Sequence, residues 1–240
     1  MPQFKNKVKL YKGKSPLFDE YDIDLEVSRA LSRKVWLKSG GYIVIDEAEA
    51  LVVIDVNTGS YVGKKDIEET VLKTNLEAAY EVAHQLKVRN SGGIIVIDFI
   101  DMEKTAHKEK VMAALKEQLS FDRSRTEVMS ISELGLVEMT RKRIRPSLVS
   151  VLCEPCSYCD GNGYIKRSET VANEIFREIR RDSLGKTNEN WVVSCHPIVA
   201  DWIYNEETVA IELLEKNLQV GITIDVRAGF HREEYEIKPA

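Results

Sequence analysis

Two short runs of branched apolar residues, each ending in an aspartate, constrain this chain more than any other feature. They are Leu51-Val-Val-Ile-Asp55 and Ile94-Ile-Val-Ile-Asp98. Such runs suit buried strands rather than helices. Both therefore read as strands of one sheet that each deliver a carboxylate at the strand end. An ionised acid in an apolar setting is costly unless it is paired, hydrogen-bonded or bound to a metal. Two carboxylates side by side repel, and a divalent cation removes the conflict. The pattern points to a Mg²⁺ site for phosphate chemistry; N-capping or salt-bridged acids are the competing reading. Asn57 falls on the same side of an extended chain as Asp55, placed to orient it or a bound water. Asp101, three residues after Asp98, reads as a further ligand or an N-cap.

The periodicity around these runs predicts the rest of the frame. Apolar stripes at helical spacing run over 22–33, 66–87, 105–119, 168–181, 199–204 and 208–218. Strands are expected at 42–45, 50–54, 94–97, 127–131, 134–139, 191–195 and 221–226, with an isolated one at 8–11; 134–143 also fits a helix. Asp46 and Glu47 are expected in a hairpin turn. The fold class is α/β (α+β): a layered mixed sheet with flanking helices, then a small second α/β domain. At 240 residues, 43% hydrophobic and 30% charged, the chain has room for one large or two modest globular domains. No stretch is apolar enough to span a membrane, and no signal core opens the sequence. The expected location is the cytoplasm, or an organellar stroma had a transit peptide been removed.

The formal charge of −5 argues weakly against nucleic-acid binding, but the distribution matters more than the sum. Arg141, Lys142, Arg143 and Arg145 form a basic run, and Lys64 and Lys65 follow the first aspartate motif. These six are the candidate phosphate contacts. Each such cluster also reads as a solvated face.

Three of the four cysteines crowd together. Cys156-Ser-Tyr-Cys159-Asp-Gly-Asn-Gly is a knuckle in which glycines let the backbone fold around a metal. A structural zinc wants four ligands. Two chains giving two thiolates each would complete it. A site using Cys153 with a histidine or water competes, and an iron–sulfur cluster is a further alternative. Cys195 reads as a thiol within a core strand. His84, His107, His196 and His231 are scattered, so no histidine base is suggested.

Asp55-Val-Asn-Thr-Gly, Asp66-Ile-Glu-Glu-Thr, Thr74-Asn-Leu-Glu-Ala, Gly92-Gly-Ile-Ile-Val-Ile-Asp-Phe-Ile-Asp-Met, Gly135-Leu-Val-Glu-Met-Thr-Arg-Lys-Arg and the Cys156–Gly163 knuckle together resemble the catalytic half of the ribonuclease E/G family. The resemblance implies a DNase-I-like catalytic subdomain over 31–150, preceded at 1–30 by a remnant of an N-terminal subdomain plus a helix. It implies a zinc-link at 151–164 and a small assembly domain at 165–240. Asp55 and Asp98 then correspond to the family's Mg²⁺-binding aspartates, with Asn57 helping to position the site. Cys156 and Cys159 correspond to thiolates that share one Zn²⁺ between two protomers. The implied activity is endonucleolytic cleavage of single-stranded RNA by metal-activated water, in RNA processing and messenger decay, leaving 5′-phosphate and 3′-hydroxyl ends. The implied assembly is a zinc-linked homodimer that can pair into a homotetramer. Of the family's preceding RNase-H-like subdomain, OB-fold and 5′-monophosphate pocket, only the isolated 8–11 strand is expected as a counterpart in this sequence. Rival readings are a non-catalytic zinc-linked assembly module and a metal-dependent DNase or phosphatase.

Overall fold

A computed structural model describes residues 10–59, 67–132, 134–183 and 190–240. The chain divides into two compact units, Met1–Glu154 and Pro155–Ala240. Unit 1 holds α1 (Leu17–Glu20), α2 (Ile23–Leu31), β1 (Lys34–Trp36), β2 (Tyr42–Glu47), β3 (Leu51–Asn57), α3 (Ile67–Arg89), β4 (Gly93–Asp98), α4 (Thr105–Ser120), β5 (Thr126–Ile131), β6 (Leu136–Arg141) and α5 (Leu148–Leu152). Unit 2 holds α6 (Ser168–Asp182), β7 (Trp191–Cys195), α7 (Pro197–Glu206), α8 (Thr208–Leu218), β8 (Ile222–Val226) and β9 (Tyr235–Pro239).

The first sheet has the order β1-β2-β3-β4-β6-β5. Its β3–β4 seam is parallel, and the other described seams are antiparallel. A parallel seam needs a long crossover, and α3 supplies it. One face of the sheet carries the core: Ile43, Ile45, Val52, Ile54, Val56, Ile95, Ile97, Val137 and Met139 pack with Val71, Ala78, Val82 and Leu86 of α3 and with Val111 and Leu115 of α4. These side chains alternate along each strand, as period two requires.

The apolar runs are thus buried on one face only. Val53 and Ile94 point to the other face and are substantially exposed, which corrects the expectation of buried strands to strands buried on one face. Within 134–143, Leu136–Arg141 is strand and no part is helix, because Leu136, Glu138 and Thr140 alternate against Val137, Met139 and Arg141 in register with β4. Asp46 and Glu47 lie inside β2 rather than in a turn. The Asp46 carboxylate accepts two hydrogen bonds from Arg33, and Glu47 accepts one from the Ser91 hydroxyl. Leu10 and Tyr11 are not in a strand, and the rest of the expected 8–11 strand lies outside the described residues.

In unit 2 a three-stranded sheet has the order β8-β7-β9, with β7–β8 parallel and β7–β9 antiparallel. Val171, Ile175 and Ile179 of α6, Val199 and Ile203 of α7 and Leu214 of α8 bury Trp191, Val193 and Cys195. Cys195 is a core thiol whose pKa burial, followed by the nearby Asp225 charge, pushes up to about 11. That keeps it protonated and inert at neutral pH.

Candidate active site

The parallel seam sets the geometry of the acids. Leu51 pairs with Ile94, Ile54 with Ile97 and Asp55 with Asp98. The two aspartates are therefore direct neighbours at the end of adjacent strands, with Cα atoms about 4.8 Å apart. Both side chains lie on the open face, opposite the core. Desolvation, then the Asp55 charge, then the Asp101 charge raise the Asp98 carboxyl above its ordinary pKa. Asp101 is thus electrostatically part of the same cluster, in the loop that leaves β4.

Neighbouring groups fix this cluster in place. The Asn57 side-chain amide donates to Asp55 Oδ2 at 2.7 Å. That bond uses one carboxylate oxygen and leaves Oδ1 for an outside partner. The loop after β4 is clamped by Asn75 of α3. Its Nδ2 donates to the Ile100 carbonyl at 2.7 Å, and its Oδ1 accepts from the Ile100 N–H at 3.1 Å. Asn75 is fully buried, so Phe99–Asp101 is held from beneath by a polar group in a helix core. Two glycines bring a second loop close to Asp55. A Cβ on Gly41 would lie 2.7 Å from the Asn57 carbonyl, and one on Gly59, at φ +64°, would lie 2.3 Å from the Gly40 carbonyl.

The structure does not bring the basic run to the acids. Asp98 pairs with Leu136, whereas Arg141 pairs with Gly93 at the opposite end of β4. Five residues of strand put Arg141 about 17 Å from Asp98 along the sheet. Arg141 is moreover buried. Its Nε donates to Asp122 Oδ2 at 2.7 Å and its Nη1 to the Ser91 carbonyl at 2.7 Å. Its expected role as a phosphate contact is corrected, because its charge is spent on an ion pair that water does not reach. Arg143 donates to the Gly92 carbonyl at 3.0 Å. Lys142 and Arg145 are exposed, and Arg145 lines a cleft of about 540 Å³ with Lys87, Phe121 and Arg123. Lys64 and Lys65 lie outside the described residues.

The cysteine knuckle belongs to unit 2. The backbone N–H groups of Tyr158 and Cys159, then the Cys159 thiol, lower the Cys156 pKa. The Gly163 N–H donates to Cys159 Sγ at 3.2 Å. Positive φ at Asp160, Gly161 and Gly163 makes the tight return possible. His231 fastens the knuckle to its unit. Its Nδ1 accepts from the Glu233 N–H, so its Nε2 carries the proton donated to the Tyr158 carbonyl at 2.7 Å. Its ring also packs on Tyr158 with centroids 4.4 Å apart.

Both sites are incomplete as single-chain cages, and no group of three or more His, Cys, Asp or Glu is gathered as a ready metal cage among the described residues. The donor sets nevertheless fit their expected ions. Mg²⁺ is commonly held by one or two carboxylates, with waters and substrate phosphate completing the octahedron. Desolvation first and then the Asp55 and Asp101 charges disfavour the ionised Asp98, a cost that a bound cation relieves. Two thiols with N–H donors aimed at sulfur suit half of a tetrahedral zinc site.

Sequence comparison decides the kinship. Residues 1–144 match the Ribonuclease E/G family, and residues 155–240 match the RNase E/G thioredoxin-like domain. The chain belongs to the ribonuclease E/G family. It is 42% identical over 237 residues to Ribonuclease G of Salmonella typhimurium and 43% identical over 239 residues to that of Haemophilus influenzae, in each case across 99% of this chain and 48% of the relative. It is also 42% identical over 215 residues to Ribonuclease E of Escherichia coli, covering 89% of this chain and 20% of the relative. The chain thus spans about half the length of the Ribonuclease G proteins it matches. Asn75 is the site-supporting residue that sequence reasoning missed as such. Its signals were an amide set into the apolar stripe of α3 and its place in the Thr74-Asn-Leu-Glu-Ala motif.

Proposed function

We propose that this member of the ribonuclease E/G family is the catalytic half of a Mg²⁺-dependent endoribonuclease acting on single-stranded RNA in RNA processing and messenger decay. The observation that carries the reading is the in-register pairing of Asp55 and Asp98 on an exposed sheet face, with Asp98 raised by burial and by its two acidic neighbours. Asp55 and Asp98 would hold the ion. A divalent cation there supplies Lewis-acid chemistry, neutralising phosphate charge and making water more acidic. Asn57 fixes the Asp55 carboxylate and presents one oxygen outward. Asp101 adds negative charge that favours cation binding. Asn75 holds the backbone between Asp98 and Asp101 so that the donors are preorganised. In the overall reaction water adds its oxygen to phosphorus, the P–O3′ bond breaks, and 5′-phosphate and 3′-hydroxyl ends result.

In the same reading, Cys156 and Cys159 each supply a thiolate to a Zn²⁺ shared between two chains. Residues 1–30 then precede a catalytic domain at 31–150, with a zinc-link at 151–164 and an assembly domain at 165–240. The product is a homodimer able to pair into a homotetramer, acting in the cytoplasm. Lys142, Arg143 and Arg145, with Lys64 and Lys65, remain the proposed RNA-backbone contacts.

The test is cleavage of a labelled single-stranded RNA by the 240-residue chain in Mg²⁺, with DNA and a phosphomonoester alongside. Asp55→Asn and Asp98→Asn should each lower the rate about a hundredfold or more. Full Mg²⁺-dependent cleavage by both variants would remove the metal assignment. DNA or phosphomonoester turnover with intact RNA would favour the rival hydrolase readings.

A further inference from the structure

The acidic pair does not stand alone on the open face of the sheet. Register carries one row across five strands: Lys34 pairs with Val44, Val44 with Asp55, Asp55 with Asp98, and Asp98 with Leu136. The adjacent row is Trp36, Tyr42 and Asn57. Asn57 in turn holds Asp55. At the edge of the sheet these two rows produce an aromatic cluster. Trp36 and Tyr42 meet edge to face, with centroids 5.3 Å apart and planes at 65°. Lys34 Nζ sits 4.1 Å from the Trp36 centroid and 3.5 Å from that of Tyr42. Trp36 is 60% exposed, so the ring is held by its neighbours yet open to solvent.

This placement adds little to the core of the unit. An exposed tryptophan on an edge strand contributes nothing to the core and invites pairing with another chain. Its strand neighbour Val35 does the burying. What the cluster offers is a rigid π-surface beside a positive charge, the combination by which proteins grip single-stranded nucleic acid: bases stack on aromatic rings while cations follow the backbone. Its position suits that use. Two strand spacings across and two residues along place Trp36 about 12 Å from Asp55, within reach of a nucleotide whose neighbour lies at the acids. Lys34 also brings positive charge to a row otherwise acidic at Asp55 and Asp98.

We infer that Trp36, Tyr42 and Lys34 form a stacking platform for one base of single-stranded RNA, flanking the phosphate to be cut at Asp55 and Asp98. The inference rests on the endoribonuclease reading for its register with the scissile bond, but not for binding itself. Trp36 carries the base, Tyr42 props the ring from its edge, and Lys34 locks both and faces the strand. Gly41 keeps this arrangement close to the acids, since any side chain there would strike the Asn57 backbone.

The experiment is anisotropy of a labelled oligoribonucleotide of about eight nucleotides with the full 240-residue chain in Mg²⁺-free buffer, repeated with an abasic site at each position in turn. Trp36→Ala should weaken binding about five- to a hundredfold, and Trp36→Phe, which keeps a stacking face, should recover most of it. With the abasic site at the stacked position, wild type and Trp36→Ala should bind alike. Equal binding of wild type and Trp36→Ala to the intact oligomer overturns the platform. So does an alanine effect that no abasic position removes, or failure of the wild-type chain to bind. A parallel Mg²⁺ cleavage assay separates the two readings. If RNA is not cut but the Trp36 effect holds, the nuclease reading fails and the platform stands. If RNA is cut and Trp36→Ala binds normally, the platform alone falls.

Discussion

Arg141→Met tests whether the basic run near β6 serves structure or RNA. The Arg141 and Asp122 side chains are only 2% and 5% exposed. Four contacts converge on the guanidinium: Asp122 through Nε at 2.7 Å and Nη2 at 3.3 Å, the Ser91 carbonyl at 2.7 Å and Asn90 at 3.4 Å. Methionine keeps much of the volume but strands the Asp122 carboxylate, whose remaining hydrogen bond among the described residues is from the Ser124 N–H at 3.0 Å. Removing one partner of a buried pair costs about 3–5 kcal/mol. For a domain of this size, that lowers Tm by roughly 6–20 °C. The pH dependence gives a second signature. Burial pushes Asp122 up, but Arg141, the Ser124 N–H and Lys87 more than reverse it and hold the carboxyl below its ordinary value of 3.8. A depressed carboxyl contributes stability that is present above the unfolded pKa and lost as pH falls through the folded one. Without Arg141 only the upward push of burial and weaker opposing groups remain. The gap between wild type and variant should therefore be widest near neutral pH and narrow towards pH 4. Urea unfolding at several pH values measures it. An unchanged midpoint, together with weaker and less salt-dependent RNA binding, would refute the structural assignment and return Arg141 to the RNA surface.

Four further outcomes are expected. Asp98→Asn should slightly stabilise the metal-free protein, by less than about 1 kcal/mol after solvent screening, while lowering cleavage about a hundredfold or more. The sign follows because a raised carboxyl costs stability as pH climbs through its pKa, and differential scanning calorimetry at pH 4 and pH 7 reads it. Asn75→Ala should cost about 2–4 kcal/mol, since both polar groups of Ile100 lose a buried partner, and cleavage should fall more than Mg²⁺-free stability predicts at a temperature where the variant is folded. Cys156→Ser with Cys159→Ser should release zinc and leave monomers in native mass spectrometry; wild type should show one zinc per two chains, and zinc-bound dimers of the double variant would end the shared-zinc proposal. Gly59→Ala should destabilise by about 1–3 kcal/mol, through its positive φ and the clash with the Gly40 carbonyl, and a neutral melt would show that the loop can move aside.

The acids were legible because their strands are. Two β-branched runs of the same length, each closed by an aspartate, suffice to predict neighbours in one sheet. Their exposure was not legible. Leu51–Ile54 shows no alternation, so nothing in the run says that Val53 faces outward while Val52 and Ile54 face α3. Strands β1 and β9 escaped for a related reason: Lys-Val-Trp is three residues long, and Tyr-Glu-Ile-Lys-Pro has two charged residues among its five. They become strands because β2 and β7 offer them free edges. Arg141 misled because its neighbours in sequence are cations, whereas its partner Asp122 lies 19 residues earlier. Only the β4–β6 register turns that side chain inward. The knuckle was legible in full as a pattern, but the hold of His231 on it, 73 residues from Tyr158, is a tertiary fact.

The parallel seam between β3 and β4 has one further consequence. Neither aspartate owns the site; the pairing does, and it is the last rung of a ladder closed only after α3 has crossed the sheet. A slip of one residue in either strand would turn its aspartate to the core face and an isoleucine or valine to the open one. A chain caught in the wrong register would therefore carry its two acids on opposite faces, with no shared site between them. On the proposed nuclease reading, the acidic pair is assembled by the same event that completes the sheet.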